Sequence, residues 1–259
     1  MSVRPLDIAA ALRLALRIFW RDFAPIIILG LVFLTLPAVV VRTVSGFVAG
    51  SPDPTLGTLA ETFRWLLVMI FLSAVTGGVL SQFGGRMLST SDFIRAGLAA
   101  MQPGLIVALV IGVILMLTRI ALLLIAPFVP PSGLGSLLFV AASVAAFALW
   151  GVAIPAAMSE RSAPLVALRR SADLTRGNRW RLVAMFLVIG LAILPPIMLV
   201  RFVIFGAAST PLQIAEIIRG MTILSPGLWI SQLSTLLIFG ALSVVPAALY
   251  MIFTGTRRG

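Results

Sequence analysis

Residues 167–182 read Ala167-Leu168-Arg169-Arg170-Ser171-Ala172-Asp173-Leu174-Thr175-Arg176-Gly177-Asn178-Arg179-Trp180-Arg181-Leu182, the densest run of charge in the chain, set between two long apolar segments. Its spacing predicts a basic helix that turns directly into a membrane span. Leu165, Leu168 and Ala172 recur at i, i+3 and i+7, while Arg169, Arg170, Asp173 and Arg176 take the other face, the pattern of a helix lying on a membrane surface. Gly177 supplies a left-handed end. Asn178 is placed to accept from the free N–H groups that open the next helix, and Trp180 stands where an amphipathic ring prefers headgroup level.

Working outward, 61% of the 259 residues are hydrophobic and 10% are charged, against about half and about a quarter in soluble domains. This is the composition of an integral membrane protein. The net charge of +11 comes from 19 arginines, with no lysine, histidine or cysteine. Disulfides, thiolate chemistry, imidazole metal ligands and histidine bases are thereby excluded. On a soluble protein such a charge would point to nucleic acid; here the arginines sit at the ends of apolar segments, as the positive-inside rule requires.

The expected fold is all-α: a polytopic bundle of six transmembrane helices in a single domain over residues 1–259, with short interfacial amphipathic helices on the cytoplasmic side. Residues 5–22 form the first of these, with Arg13, Arg17 and Arg21 on one face and Leu12, Leu16 and Phe19 on another. The charge there is too spread for a signal-peptide n-region, so the first span is expected to be retained. Span one runs from Phe23 to about Val44 with Pro37 inside, and Thr58 and Glu61 form a capping box opening span two, Phe63 to Gly85. Ser73, Gly77, Ser81 and Gly85 make a small-residue ladder there. Ser89 or Ser91 caps a short helix with Arg95, and Pro103 starts span three. Span four covers Leu137 to Met158, with small pairs Ala142/Ala146 and Ala153/Ala157. Span five covers Trp180 to Phe205, a short external helix follows around Thr210 to Gly220, and span six covers Trp229 to Phe253.

Six spans put both termini on one side, which holds fourteen arginines against Arg219 and Arg64 on the other. Both termini are therefore expected in the cytoplasm, with the chain in a bacterial inner membrane. Leu36-Pro37-Ala38 resembles Leu194-Pro195-Pro196, and Ile154-Pro155-Ala156-Ala157 resembles Val245-Pro246-Ala247-Ala248. Three parallel hairpin units follow, near 5–86, 90–158 and 162–253.

Arg42, Arg119 and Arg201 fall in the outer halves of the odd spans and are the candidate lipid- or anion-binding residues, since a guanidinium in a low-dielectric setting suits phosphate. The competing reading has them snorkel to the outer interface. The prolines either expose carbonyls to a solute or only kink the spans. The basic interfacial helices either recruit anionic lipid or anchor topology. No catalytic residue, metal or cofactor is expected: Asp7, Asp22, Asp53, Glu61, Asp92, Glu160, Asp173 and Glu216 form no paired-carboxylate or metal spacing.

The stretch from Trp150 to Leu182, with Ala153, Pro155, Glu160, Arg161, the A-L-x-R-S piece ending Arg169, Arg170, Ser171, the L-T-x-G-N piece holding Thr175, Gly177 and Asn178, and the pair Trp180-Arg181, resembles the membrane domain found fused to some bacterial glycerophosphoryl diester phosphodiesterases and in related six-span proteins. The catalytic domain of those proteins uses histidine, which this chain lacks, so their activity is not implied. The resemblance implies a stand-alone membrane domain that handles or senses lipid. The expected function is thus non-enzymatic binding of membrane lipid, anionic phospholipid above all, with no nucleic acid. The alternatives are a small-solute permease-like subunit and a structural partner in an envelope complex.

Overall fold

The computed structural model describes residues 5–41, 54–82, 87–125, 134–206, 213 and 224–255. All regular structure among them is helical, with no strand. Six helical segments are long and apolar enough to cross a membrane: Phe23–Val41, Phe63–Ser81, Thr90–Leu122, Leu137–Glu160, Arg179–Phe205 and Pro226–Thr254. The class of molecule is therefore a multi-pass helical membrane protein.

Helix α1 (Ile8–Arg21) opens at Asp7, whose carboxylate accepts the Ala10 N–H at 3.0 Å. Its buried stripe is Ala11, Ala15, Ile18 and Phe19. The expected stripe through Leu12 and Leu16 is thus displaced: Leu16 is 53% exposed and shares the open face with Arg13 and Arg17. The reason is the small side chains, which let α1 dock closely under the bundle, where it packs against the last two helices.

At Asp22 the chain leaves α1 and enters the first span, α2 (Phe23–Gly30). A π-helical turn, Leu31–Thr35, follows, closed by the Leu36 N–H donating to the Leu31 carbonyl. Pro37 accounts for it, because its ring cannot accommodate the regular carbonyl position one turn back. The second span belongs to α3 (Pro54–Ser81). That helix starts ahead of the expected capping box: Thr58 and Glu61 lie inside it, and Pro54, with its fixed φ, takes the first turn.

Helix α4 (Thr90–Ile125) is continuous over 36 residues with Pro103 inside it, so the expected separate interfacial helix and span three are one rod. At about 54 Å it exceeds a hydrocarbon core of about 30 Å, and its polar first turns extend beyond. Ser89 caps it reciprocally, accepting the Asp92 N–H at 3.2 Å and donating to the Asp92 carboxylate at 2.7 Å. Helices α3 and α4 cross backbone to backbone. A Cβ on Gly97 would run into the Ala74 carbonyl, and one on Gly77 would lie 3.0 Å from the Gly97 carbonyl. Of the expected ladder, Ser73 and Gly77 are buried, Ser81 is exposed, and Gly85 lies outside the described residues.

Spans four and six are each broken near their lower third. Span four divides into α5 (Leu134–Trp150) and α6 (Ala153–Glu160) across Gly151–Val152. Between them and span five lie α7 (Pro164–Leu174) and then α8 (Arg179–Phe205). Span six divides into α9 (Pro226–Ser243) and α10 (Val245–Thr254) at Val244. Pro155 and Pro246 therefore kink nothing; each sits in the first turn of a short helix, where a missing N–H costs little. Apart from Gln213, the expected external helix lies outside the described residues.

Candidate functional site: the basic joint at the terminal end

The resemblance motif makes joints. Helix α7 does not present Leu165, Leu168 and Ala172 as its buried stripe. Leu165 is exposed, and Ala167, Leu168 and Ser171 are the buried residues, because the helix packs on α4, α5 and α6 instead of lying free on a surface. Ser171 is fully buried at the break in span four. Its hydroxyl donates to the Leu149 carbonyl at 2.9 Å and accepts the Val152 N–H at 3.3 Å, clipping the two sides of the break. Thr175, also buried, donates back to the Ala172 carbonyl at 3.3 Å.

Gly177 has φ +83°, the left-handed conformation its position called for. Asn178 departs from expectation. It stands at the start of α8 without capping it; its buried amide oxygen accepts the Leu6 N–H at 2.8 Å. Arg181 completes the clamp, donating to the Leu6 carbonyl at 2.9 Å. The segment entering α1 is thereby paired with the motif 172 residues away. Neither partner of Asn178 and Arg181 is a side chain, so Leu6 gave no sequence signal.

Two polar clusters tie the same end together. The buried Asp22 carboxylate takes Arg21 through Nε at 3.1 Å and through a terminal nitrogen at 2.7 Å, and Gln82 from the end of α3 at 3.1 Å. Arg170 donates to Glu160 at 3.1 Å, Tyr250 donates to Glu160 at 3.3 Å, and Ser159 donates to Tyr250 at 2.6 Å. These bonds join α6, α7 and α10. Gln82, Ser159 and Tyr250 had no pattern in the sequence to mark them.

Around these joints an open basic surface remains. Arg13, Arg17, Arg169 and Arg176 are exposed and have no carboxylate partner among the described residues. Trp20 is 62% exposed and stacks on Phe23 with ring centroids 5.4 Å apart, and Trp180 is 84% exposed. Arginine heads flanked by two open indoles at one end of a bundle can engage phosphate oxygens while the rings occupy the headgroup layer. Of the intramembrane candidates, Arg119 is exposed with its guanidinium 5.9 Å from the Phe139 ring centroid, and Arg201 is exposed on α8. Arg42 lies outside the described residues. No group of three or more metal-ligating side chains occurs among the described residues.

The chain matches no family model, no curated protein and no solved structure.

Proposed function

We propose that this chain is a non-enzymatic six-span protein of a bacterial inner membrane that binds anionic phospholipid headgroups at the end of the bundle bearing both termini. The observation that carries the reading is the exposed set Arg13, Arg17, Arg169 and Arg176, without a carboxylate partner among the described residues, beside Trp20 and Trp180. Each such arginine near an anionic surface contributes ~1 kcal/mol. The positive-inside rule places that end in the cytoplasm. The resemblance of residues 150–182 to the phosphodiesterase-associated membrane domain supports the same lipid role. The reading keeps three hairpin repeats, supported by the matching Pro-Ala-Ala stretches in the opening turns of α6 and α10.

In this reading Arg42, Arg119 and Arg201 make a second anion-recognising layer in the outer half of the bundle. Native mass spectrometry of protein released from nanodiscs tests both layers. Replacing Arg13, Arg17, Arg169 and Arg176 by Gln is expected to remove most of the retained anionic lipid, and replacing Arg42, Arg119 and Arg201 by Gln to remove a smaller share. Unchanged lipid retention in both variants overturns the reading. A second reading, a small-solute permease, draws on the broken spans four and six, and solute-dependent flux in proteoliposomes would favour it.

A further inference from the structure

Helix α1 is tied at both ends to the ends of membrane spans. At its start, the Leu6 N–H donates to Asn178 and the Leu6 carbonyl accepts from Arg181, at the opening of span five. At its end, Asp22 leads straight into Phe23, the first residue of span one, and its carboxylate accepts from Gln82, the residue after α3. Those three places lie on one side of the membrane, so α1 runs along that surface and its residues share one depth. Its 14 residues give a rod of about 21 Å.

The face that α1 leaves open is narrow. Arg13, Leu16, Arg17 and Trp20 stand at i, i+3, i+4 and i+7, one stripe by helical geometry, and all four are exposed. The opposite side, Ala11, Ala15, Ile18 and Phe19, is buried against the bundle. Trp20 is held in place. Its ring stacks on Phe23 at 5.4 Å with 21° between the planes, and Phe19 meets the two rings edge-on at 5.4 and 5.5 Å. The apolar half of the stripe therefore sits where span one begins, at the headgroup layer.

The charged half comes down to two groups. Arg21 continues the row that Arg13 and Arg17 start, but the Asp22 carboxylate neutralises it through two bonds. Asp7, the other acid beside α1, accepts the Ala10 N–H and lies about 120° round the helix from Arg13. Arg13 and Arg17 are left with no carboxylate partner among the described residues. Their Cβ atoms are about 6 Å apart, where like charges repel unless anions lie between them. The corresponding row on α7 is interrupted: Asp173 lies one turn from Arg169, and Arg170 meets Glu160.

Two guanidinium groups at one depth match two phosphates side by side. A lipid with one phosphate satisfies one of them through paired N–H donors and leaves the other facing its neighbour's charge. Two separate lipids are each ordered at their own cost. A lipid whose two phosphates are joined by a short bridge brings the second at high effective concentration once the first is bound. A headgroup that stacks its phosphates along the membrane normal does not match, because this pair lies along the surface. Leu16 and Trp20, 53% and 62% exposed, give the acyl chains an apolar seat on the same stripe.

We propose that Arg13, Arg17 and Trp20 form a site selective for a lipid with two bridged phosphates, of the diphosphatidylglycerol class. The proposal rests on the anionic-lipid reading above and narrows it to one headgroup. Native mass spectrometry tests it on the full chain in phosphatidylcholine nanodiscs. These carry either phosphatidylglycerol or half as many molecules of diphosphatidylglycerol, so the phosphate count is equal. The expected result is about tenfold or greater retention of the two-phosphate lipid. That preference should fall to parity in Arg13→Gln and in Arg17→Gln alike, since either loss leaves a one-phosphate site. Both side chains are exposed and make no hydrogen bond among the described residues, so neither replacement disturbs the fold. A variant with Arg169→Gln and Arg176→Gln should keep the preference while holding less anionic lipid in total. Equal retention of the two lipids by the wild type overturns the two-phosphate site and leaves the lipid surface standing. A preference that survives both single replacements overturns it as well. If neither lipid is retained, the site and the lipid reading fall together.

Discussion

Replacing Asn178 by Leu removes the acceptor of the Leu6 N–H while keeping the side chain's volume. In the native chain that bond is 2.8 Å long, and both Leu6 and Asn178 are nearly fully buried. Leaving the N–H in place without its partner costs about 2 kcal/mol. The cost falls on one joint, because Asn178 touches the segment entering α1 and no other clamp to it exists among the described residues except Arg181. The docking of α1 should therefore weaken before the bundle does. Local opening by ~2 kcal/mol is roughly a 30-fold rise in the exchange rate of protected amides. Hydrogen exchange by mass spectrometry in nanodiscs should show that rise in the α1 peptides, with α3 and α4 unchanged. Asn178→Asp retains an acceptor and should keep most of the protection. Identical exchange of α1 in wild type and Asn178→Leu would refute the reasoning, since Asn178 would then be a surface cap and not a clamp.

Ser171→Ala should free the Val152 N–H at the break of span four and lower the melting temperature through a loss of about 1–3 kcal/mol, with Ser171→Thr retaining more stability in the same calorimetric scan. Gly97→Ala meets a backbone carbonyl that cannot rotate away, so a cost of about 1–3 kcal/mol or more is expected; a Gly97→Ala protein with native detergent stability would show that α3 and α4 cross less closely. Glu160→Gln removes the charge that Arg170 meets at 3.1 Å near the surface. Because Glu160 and Arg170 are partly solvated, the expected loss is under about 1 kcal/mol, and a chemical-denaturation midpoint shifted far beyond that would mean the Tyr250 bond dominates.

Hydrophobic length made the six spans legible, because lipid demands about twenty apolar residues per crossing whatever the packing. The Gly177 turn was equally legible, since only its φ > 0 end suits the chain reversal. Faces were harder. In a membrane protein both lipid and neighbours are apolar, so Leu12/Leu16 and Ala11/Ala15 look alike in hydropathy, and the small pair won by allowing closer docking. Leu165 misled for the same reason. The breaks at Val152 and Val244 were marked by their prolines, although a proline at the start of a helix and one inside it give the same local letter. The clamp on Leu6 was invisible, because a backbone acceptor and donor leave no trace in side-chain pattern. Of the polar residues, the arginines were legible by charge, whereas Ser73 was read only as part of a packing ladder, and the absence of a partner for its buried hydroxyl among the described residues is a property of geometry alone.

The packing is strongly uneven, and that unevenness yields a sharp test of the membrane setting. Helix α8 is 27 residues long, yet 6% of its apolar window is buried, against 56% for the last span. Leu191, Leu199 and Phe202 are each about two-thirds exposed. In water such a stripe would be an apolar patch far beyond what monomers tolerate. In a bilayer it is unremarkable, since lipid tails are as apolar as leucine and burial against protein adds no hydrophobic gain. The chain contains no cysteine, so single Leu199→Cys and Trp20→Cys variants report on these positions without background. With α8 in hydrocarbon, a thiol at 199 should resist a membrane-impermeant maleimide in nanodiscs and react once the protein is unfolded in detergent. A thiol at position 20, on the open face of α1, should react in both. Prompt labelling of position 199 in nanodiscs would place α8 in water and remove the basis for a sixfold crossing.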